Sequence, residues 1–393
     1  MAAAVAEHPV REFAFDRREL AGAIADVGVL VPIAVVLIVS NGLSATAALL
    51  PAGLLYLGAA FVYGLPVPVQ PLKAFGAIAI AKGLGPDVIA AGALLMGIVF
   101  VGLSRSGLLE RAAIAFPRPL IRGVQLAVGL LFLKIAWGLV TDPPKAFAAT
   151  ALTPGVATML ALVALAAALL LRRGPVTILL VGVGLAFAVA EAAPDLRAGP
   201  SSVAVPGIDA AALWTALTLL VLPQIPLTFA NSCLATADAA RRYFGARAEA
   251  VRPGRLAGTL GAANVFAGFA GGMPVCHGAG GLTAHRSFGA RTAGAPLMMG
   301  AGLLVLALAL GAGLAAFLAA FPLPVLAGML AAAGILHVRL LEDLEGRAEW
   351  AVAVAVGVIG VSFNLAAGLV LGLAAWWLPR LASRGGPAQA RAS

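Results

Sequence analysis

Gly64-Leu-Pro-Val-Pro-Val-Gln-Pro-Leu-Lys-Ala-Phe-Gly76 lies within an apolar stretch, and its reading decides the fold. Prolines 66, 68 and 71 donate no backbone hydrogen bond, so the chain from about Leu65 to Gln70 is expected to be extended. A helix is expected to start near Pro71, a residue suited to a first helical turn, which places Lys73 one turn inside it. A second stretch has the same character: Gly271-Gly-Met-Pro-Val-Cys-His-Gly-Ala-Gly-Gly281. Setting Pro68-Val69 on Pro274-Val275 aligns Gln70 with Cys276 and Pro71 with His277. Both stretches are short, broken by Pro and Gly, and polar where a lipid-facing helix is uniformly apolar.

Around these stretches the chain is 62% hydrophobic and 11% charged, against about 25% charged in a soluble domain, which excludes a water-soluble globular protein. A helix crosses a bilayer core in about 20 residues. The apolar runs give seven spans at 20–40, 43–63, 66–82, 88–104, 119–139, 152–171 and 175–191. Seven more follow at 211–236, 255–270, 274–289, 294–315, 319–338, 348–363 and 365–379. The two broken stretches are each third in their set, and an odd number of spans gives the two sets opposite topologies. The expected fold is therefore all-α and polytopic: fourteen transmembrane segments as 7+7 inverted repeats, with half-helices in segments three and ten, as in secondary transporters. The repeats are placed at 20–200 and 201–380, between a cytoplasmic N-terminus (1–19) and a cytoplasmic tail (381–393), with no regulatory soluble domain.

The formal charge of +9 raises the question of nucleic acid. In a fourteen-span reading with the N-terminus inside, every basic residue except Lys73, Lys82, Lys134, Lys145 and Arg197 falls on the cytoplasmic side. The positive-inside rule thus accounts for the charge, sets the orientation in the inner (plasma) membrane, and leaves no need for a nucleic-acid partner. Glu7, Glu12 and Asp16 interrupt the region before the first apolar run and argue against a cleaved signal peptide. Cys233 and Cys276 have neither metal nor redox spacing, and no cofactor is expected.

Two half-helix N-termini meeting near the midplane form an anion site, because each offers unpaired N–H groups and about half a positive charge. Lys73 would cost at least about 2.5–3.5 kcal/mol facing lipid, so it contacts an anion in a cavity, snorkels, or pairs with Asp26. Asp26, inside the first span, is either a coupling carboxylate or a helix-packing group. Gln224 and Asn231 in segment eight supply neutral hydrogen bonds to a ligand or to neighbouring helices. His277 reads as an oxyanion donor, a proton carrier or a structural histidine. Lys134 and His285 are weaker candidates. The expected binding set is Gln70, Lys73 and Ala74, then Gln224 and Asn231, then Cys276, His277, Gly278, Ala279, Gly280 and Gly281.

Pro-Val-Pro-Val-Gln-Pro-Leu-Lys at 66–73, Pro-Gln-Ile-Pro-Leu-Thr-Phe-Ala-Asn-Ser at 223–232 and Met-Pro-Val-Cys-His-Gly-Ala-Gly-Gly-Leu at 273–282 resemble signature segments of the molybdate transporter family, a distant branch of the sulfate permease superfamily. Glu19-Leu-Ala-Gly-Ala-Ile-Ala-Asp26 also fits, and Leu72 stands where the family is expected often to have methionine. The resemblance implies a core of segments one to four and eight to eleven moving against a gate of the other six. It implies secondary transport of a tetrahedral oxyanion, molybdate before sulfate, and no enzymatic activity. Moving a dianion into a negative-inside cell is opposed by roughly 2.3 kcal/mol per charge per 100 mV, which makes proton symport through Asp26 or His277 a reasonable expectation. A second copy of the chain in a homodimer is a candidate partner beside the bilayer. The rivals are a broader sulfate or oxyanion carrier, a nucleobase:proton symporter of the same fold, a passive channel, and an intramembrane enzyme. The nucleobase reading lacks the carboxylates it needs in segments eight and ten, where Asp238 alone stands at a helix end. The enzyme reading lacks an acid/base pair at readable spacing.

Overall fold

The computed structural model describes residues 13–24, 27–107, 117–170, 176–192 and 197–384. Asp26 and most of both termini lie outside the described residues. The first half runs α1 (Arg17–Ala23), α2 (Val27–Val39), α3 (Ala45–Tyr63), strand β1 (Gln70–Pro71), α4 (Lys73–Ala81), α5 (Pro86–Ser106), α6 (Arg118–Thr141), α7 (Pro154–Leu170) and α8 (Val176–Ala192). A long helical stretch, α9 (Ala210–Ala250), opens the second half. It is followed by α10 (Pro253–Phe269), strand β2 (Val275–Cys276), α11 (Ala279–Ser287), α12 (Gly294–Ala309), α13 (Gly311–Ala319), α14 (Leu323–Arg339), α15 (Arg347–Ser362) and α16 (Leu365–Arg384).

The burial pattern suits lipid rather than water. Phe61, Trp137, Val163 and Phe363 are each more than 60% exposed, whereas Gln70, Gln224, Asn264 and His277 are at most 3% exposed. Large apolar side chains outside and polar ones inside identify a multi-pass membrane protein. Among the described residues, five helices are long and apolar enough to cross a bilayer, or six if α12 and α13 count as one span bent by 95°. Many of the remaining helices are cut short by proline or glycine. The third and tenth segments are helical over nine residues each, and α7, α10 and α15 run 16 or 17 residues.

Several boundaries differ from the sequence reading. The third segment is helical only from Lys73, not from about Pro71, because Pro71 is held in β1 and Leu72 caps the helix. Lys73 is therefore the first helical residue rather than one turn inside. The eleventh segment, read as continuous over 294–315, bends at Leu310 between α12 and α13. The eighth extends well past 236 and contains two π-helical turns, Ala216–Val221 and Thr228–Ala235. Pro223 and Pro226 cannot donate to the preceding turn, and the neighbouring backbone shifts to i→i−5 bonding: Leu222 N–H donates to Leu217 O, and Thr236 N–H to Asn231 O.

Packing divides the helices into two groups. In one, α5 lies along α10 and α3 along α12; in the other, α6, α14 and α15 form the centre, with α7 and α16 outside. The α6–α14 contact depends on glycine at both faces. A Cβ on Gly129 would sit 2.7 Å from Gly334 O, and one on Gly334 would sit 2.7 Å from Gly129 O, so the two backbones touch. Glu19 fastens α1 to the start of α12, accepting N–H bonds from Arg291, Thr292 and Ala295 at 2.7–3.2 Å. Burial pushes its carboxyl above the usual carboxylate range, partly offset by these donors.

Between the groups, β1 and β2 pair antiparallel with Gln70 opposite Cys276 and Pro71 opposite Val275. Leu72 N–H extends the ladder to Pro274 O at 3.1 Å. Asn264, fully buried on α10, supplies a third edge: its Oδ1 accepts from Val275 N–H at 2.8 Å and its Nδ2 donates to Val275 O at 2.7 Å. The proline-rich strand before β1 presents carbonyls that need donors. His285 Nδ1 serves Pro66 O at 3.1 Å, and His277 Nδ1 serves Pro68 O at 3.0 Å.

Candidate functional site

The strand pair sets the starts of α4 and α11 on one cavity of about 580 Å³. Gln70 and Lys73 line it from the first half; Gln224 and Asn231 line it from α9; Cys276, Ala279 and Gly280 line it from β2 and α11. The opposite wall comes from α6 and α14, with Arg122, Gln125 and His337 among apolar residues such as Phe132 and Leu330. Two basic side chains, Lys73 and Arg122, and no acidic side chain line the cavity among the described residues, so its field favours an anion.

The helix starts add donors. Backbone N–H groups of Lys73 and Ala74 on α4, and of Ala279, Gly280 and Gly281 on α11, make no hydrogen bond within the protein among the described residues. These are the orphan donors of a first helical turn. The third N–H of α4, on Phe75, is taken by Gln224 Oε1 at 2.9 Å, and Gln224 Nε2 is in turn donated to Thr228 Oγ1 at 2.9 Å. Gln224 thus positions α4 while also reaching the cavity wall. Asn231 lies half-buried, and its side-chain amide has no hydrogen-bond partner among the described residues. Lys73 Nζ donates to Gln70 Oε1 at 2.9 Å, which orients the ammonium without neutralising it.

Of the expected set, Gln70, Lys73, Gln224, Asn231, Cys276, Ala279 and Gly280 come together on the cavity; Ala74, His277, Gly278 and Gly281 do not line it. His277 is fully buried behind the strand pair. A carbonyl only accepts, so Nδ1 carries the proton toward Pro68 O, and Nε2 lies 2.9 Å from Thr259 Oγ1, itself 2.6 Å from the Tyr63 hydroxyl. Both ring nitrogens are engaged in holding the strand. Gly278 is needed for close approach: a Cβ there would meet Gln70 Oε1 at 2.7 Å. Gly278→Ala is expected to push Gln70 from Lys73 and lower transport at least several-fold, with little change in thermal unfolding. Uptake equal to the unsubstituted protein would show that the Gln70–Lys73 bond is dispensable.

The sequence reading missed Asn264 and the cavity residues Arg122, Gln125 and His337. A polar residue inside an apolar span was the available signal for Asn264 and Gln125, whereas Arg122 read as one of many basic residues at a span end.

Over 92% of this chain and 98% of the other, the fold resembles the transmembrane domain of the cyanobacterial bicarbonate transporter BicA, with TM-score 0.64 and 18% identity. Over 96% of this chain and 70% of the other it resembles murine Slc26a9, an anion transporter solved in the inward-facing state, with TM-score 0.69 and 17% identity. Fold and burial together define a multi-pass, all-helical membrane protein. The chain belongs to the molybdate transporter family: the family model described as "Molybdate transporter of MFS superfamily" matches residues 18–132 and 216–336, more than half of the chain. It is similar to molybdate transporter 1 of Arabidopsis thaliana, 29% identical over 90% of this chain and 86% of that protein. It is also similar to molybdate transporter 2 of the same plant, 25% identical over 84% and 80%. The resemblance read from the three motifs is upheld, and the chain is a membrane transporter rather than an enzyme.

Proposed function

We propose that the chain imports a tetrahedral oxyanion, molybdate before sulfate, by alternating access, with the anion held between the first turns of α4 and α11. The carrying observation is that unpaired helix-start residues from both halves line one acid-free cavity with the Lys73 ammonium. Lys73 supplies charge. Asn231 and the N–H groups of Lys73, Ala279 and Gly280 supply donors, while Gln70 and Gln224 orient Lys73 and α4. A tetrahedral dianion has acceptor oxygens on every side, which suits donors arriving from two helices at once.

The reading includes fourteen segments in two inverted repeats, placed at 20–200 and 201–380. Support comes from the packing: exchanging each segment for the one seven later turns the α5–α10 contact into the α12–α3 contact and leaves α6–α14 and β1–β2 unchanged. The core is the group around α3, α5, α10 and α12, and the gate is the group around α6, α14 and α15. The basic residues argue for cytoplasmic termini in the inner membrane, and the Arg122 end of the cavity then faces the cytoplasm. Proton coupling would offset the membrane potential. Asp26 is the favoured carrier, since both nitrogens of His277 are engaged outside the cavity. A homodimer is the assembly we favour.

Proteoliposomes test the substrate. Saturable molybdate uptake at submicromolar concentration that resists excess sulfate is the expected result. Equal competition by sulfate would make the protein a broad oxyanion carrier, and failure of correctly inserted protein to move either ion would overturn the reading.

A further inference from the structure

The cavity holds a second cation that the site above does not use. Arg122 stands on α6, across the cavity from Lys73's helix, with its side chain 20% exposed. Each nitrogen of its guanidinium makes one bond: Nε donates to Asp343 Oδ1 at 2.7 Å, Nη2 donates to Asp343 Oδ2, and Nη1 donates to Gln125 Oε1 at 2.7 Å. Gln125 is buried one turn further along α6 and lines the same cavity. Asp343 is the more exposed partner, at 43%, and follows α14 in the turn Leu340–Asp343.

We propose that Arg122 is a second anion-binding station at the mouth of the cavity, and that Asp343 occupies it between loads. The inference rests on the oxyanion reading above. A two-pronged guanidinium donates two parallel N–H bonds to two oxygens of one anion. The Asp343 carboxylate presents such a pair, and so does one edge of a tetrahedral oxyanion, so the two compete for one fork. Exchange is inexpensive because a partly exposed ion pair contributes little net stability, and the released carboxylate is already near water. The turn need not detach, since Arg118 Nη1 separately donates to the Asp343 backbone carbonyl at 3.2 Å. Gln125 keeps the guanidinium aimed while the carboxylate leaves. Arg122 and Lys73 then form two positions along one cavity, one on the gate side and one on the core side.

A salt bridge that merely fastens α6 to the turn after α14 gives the opposite expectation for one of its two partners, and this makes the test. The purified full chain is titrated with molybdate in detergent, with sulfate in parallel, and the apparent Kd is read from the shift in thermal unfolding and by calorimetry. Arg122→Gln is expected to weaken Kd roughly tenfold, the effect of losing charge-assisted bonds. Asp343→Asn is expected to tighten it about threefold, because the internal competitor is gone, and the double variant is expected to match Arg122→Gln. Arg122→Lys, which keeps charge and loses the fork, falls between. Equal weakening by Arg122→Gln and Asp343→Asn would mean a fastener and overturn the proposal, as would an unchanged Kd in Arg122→Gln. Loss of binding in Lys73→Ala beside an unchanged Arg122→Gln would remove the station and leave the main site standing. A chain that binds neither anion would overturn both readings.

Discussion

Lys73→Ala is expected to reduce molybdate uptake by roughly 10- to 150-fold, the range of one lost charge-assisted hydrogen bond of about 1.5–3 kcal/mol. The effect should sit at the upper end for two reasons. Lys73 is half-buried in a cavity without carboxylates, where a dianion feels its charge with little screening. Its removal also takes away the donor that Gln70 Oε1 holds at 2.9 Å on the cavity wall. The matched control is Lys82→Ala at the exposed far end of the same helix, which should leave uptake unchanged. Measured in proteoliposomes with equal protein orientation, a Lys73→Ala variant that transports as well as Lys82→Ala would remove the ammonium from the site.

The largest expected effect on stability belongs to a residue that does not line the cavity. Asn264→Ala deletes both bonds to Val275 and strands a buried N–H and a buried C=O, each worth about 1–3 kcal/mol, for a total of roughly 2–6 kcal/mol. The position is fully buried, so the two stranded groups stand away from bulk solvent. Asn264→Asp is a sharper case: it keeps the acceptor for Val275 N–H but sets an oxygen against Val275 O. Thermal unfolding in detergent should show both variants well below the unsubstituted chain. A midpoint within a degree or so of the original would show that β2 needs no third edge.

What the sequence made legible follows from backbone chemistry that is local. Prolines 66, 68 and 71 announce an extended segment wherever they stand; aligning the two broken stretches by their Pro-Val steps matched Pro71 with His277, whereas the antiparallel strands set Gln70 opposite Cys276 and Pro71 opposite Val275. Lys73 stood out because a charge within an apolar span has few explanations. What was not legible depends on partners far along the chain. His277 reads equally as ligand, carrier or strut until Pro68, 209 positions earlier, is seen against its Nδ1. Arg122 looked like one more cytoplasmic arginine until Asp343, 221 positions later, met its fork. The helix start was misplaced by two residues because Pro71 satisfies a strand as well as a first turn, and the choice was made by Val275. The bend at Leu310 and the π turns of α9 carry no sequence signal stronger than the prolines and glycines common throughout this chain.

The strand pair also imposes an order on biogenesis. Pro71 and Cys276 are 205 positions apart, and at a synthesis rate of about 5–20 residues per second the first strand waits on the order of 10–40 s for the second. During that wait the backbone from Pro66 to Gln70 has neither the ladder nor His277 and His285 to satisfy it, at a cost of several kcal/mol for each bare group placed in hydrocarbon. The nascent first half therefore cannot settle its third segment in lipid, and must keep it in a wet or proteinaceous shelter until α10 and β2 emerge. Truncations ending before Asn264 should remain associated with the insertion machinery or be degraded, and the second half is, in this sense, the assembly factor of the first.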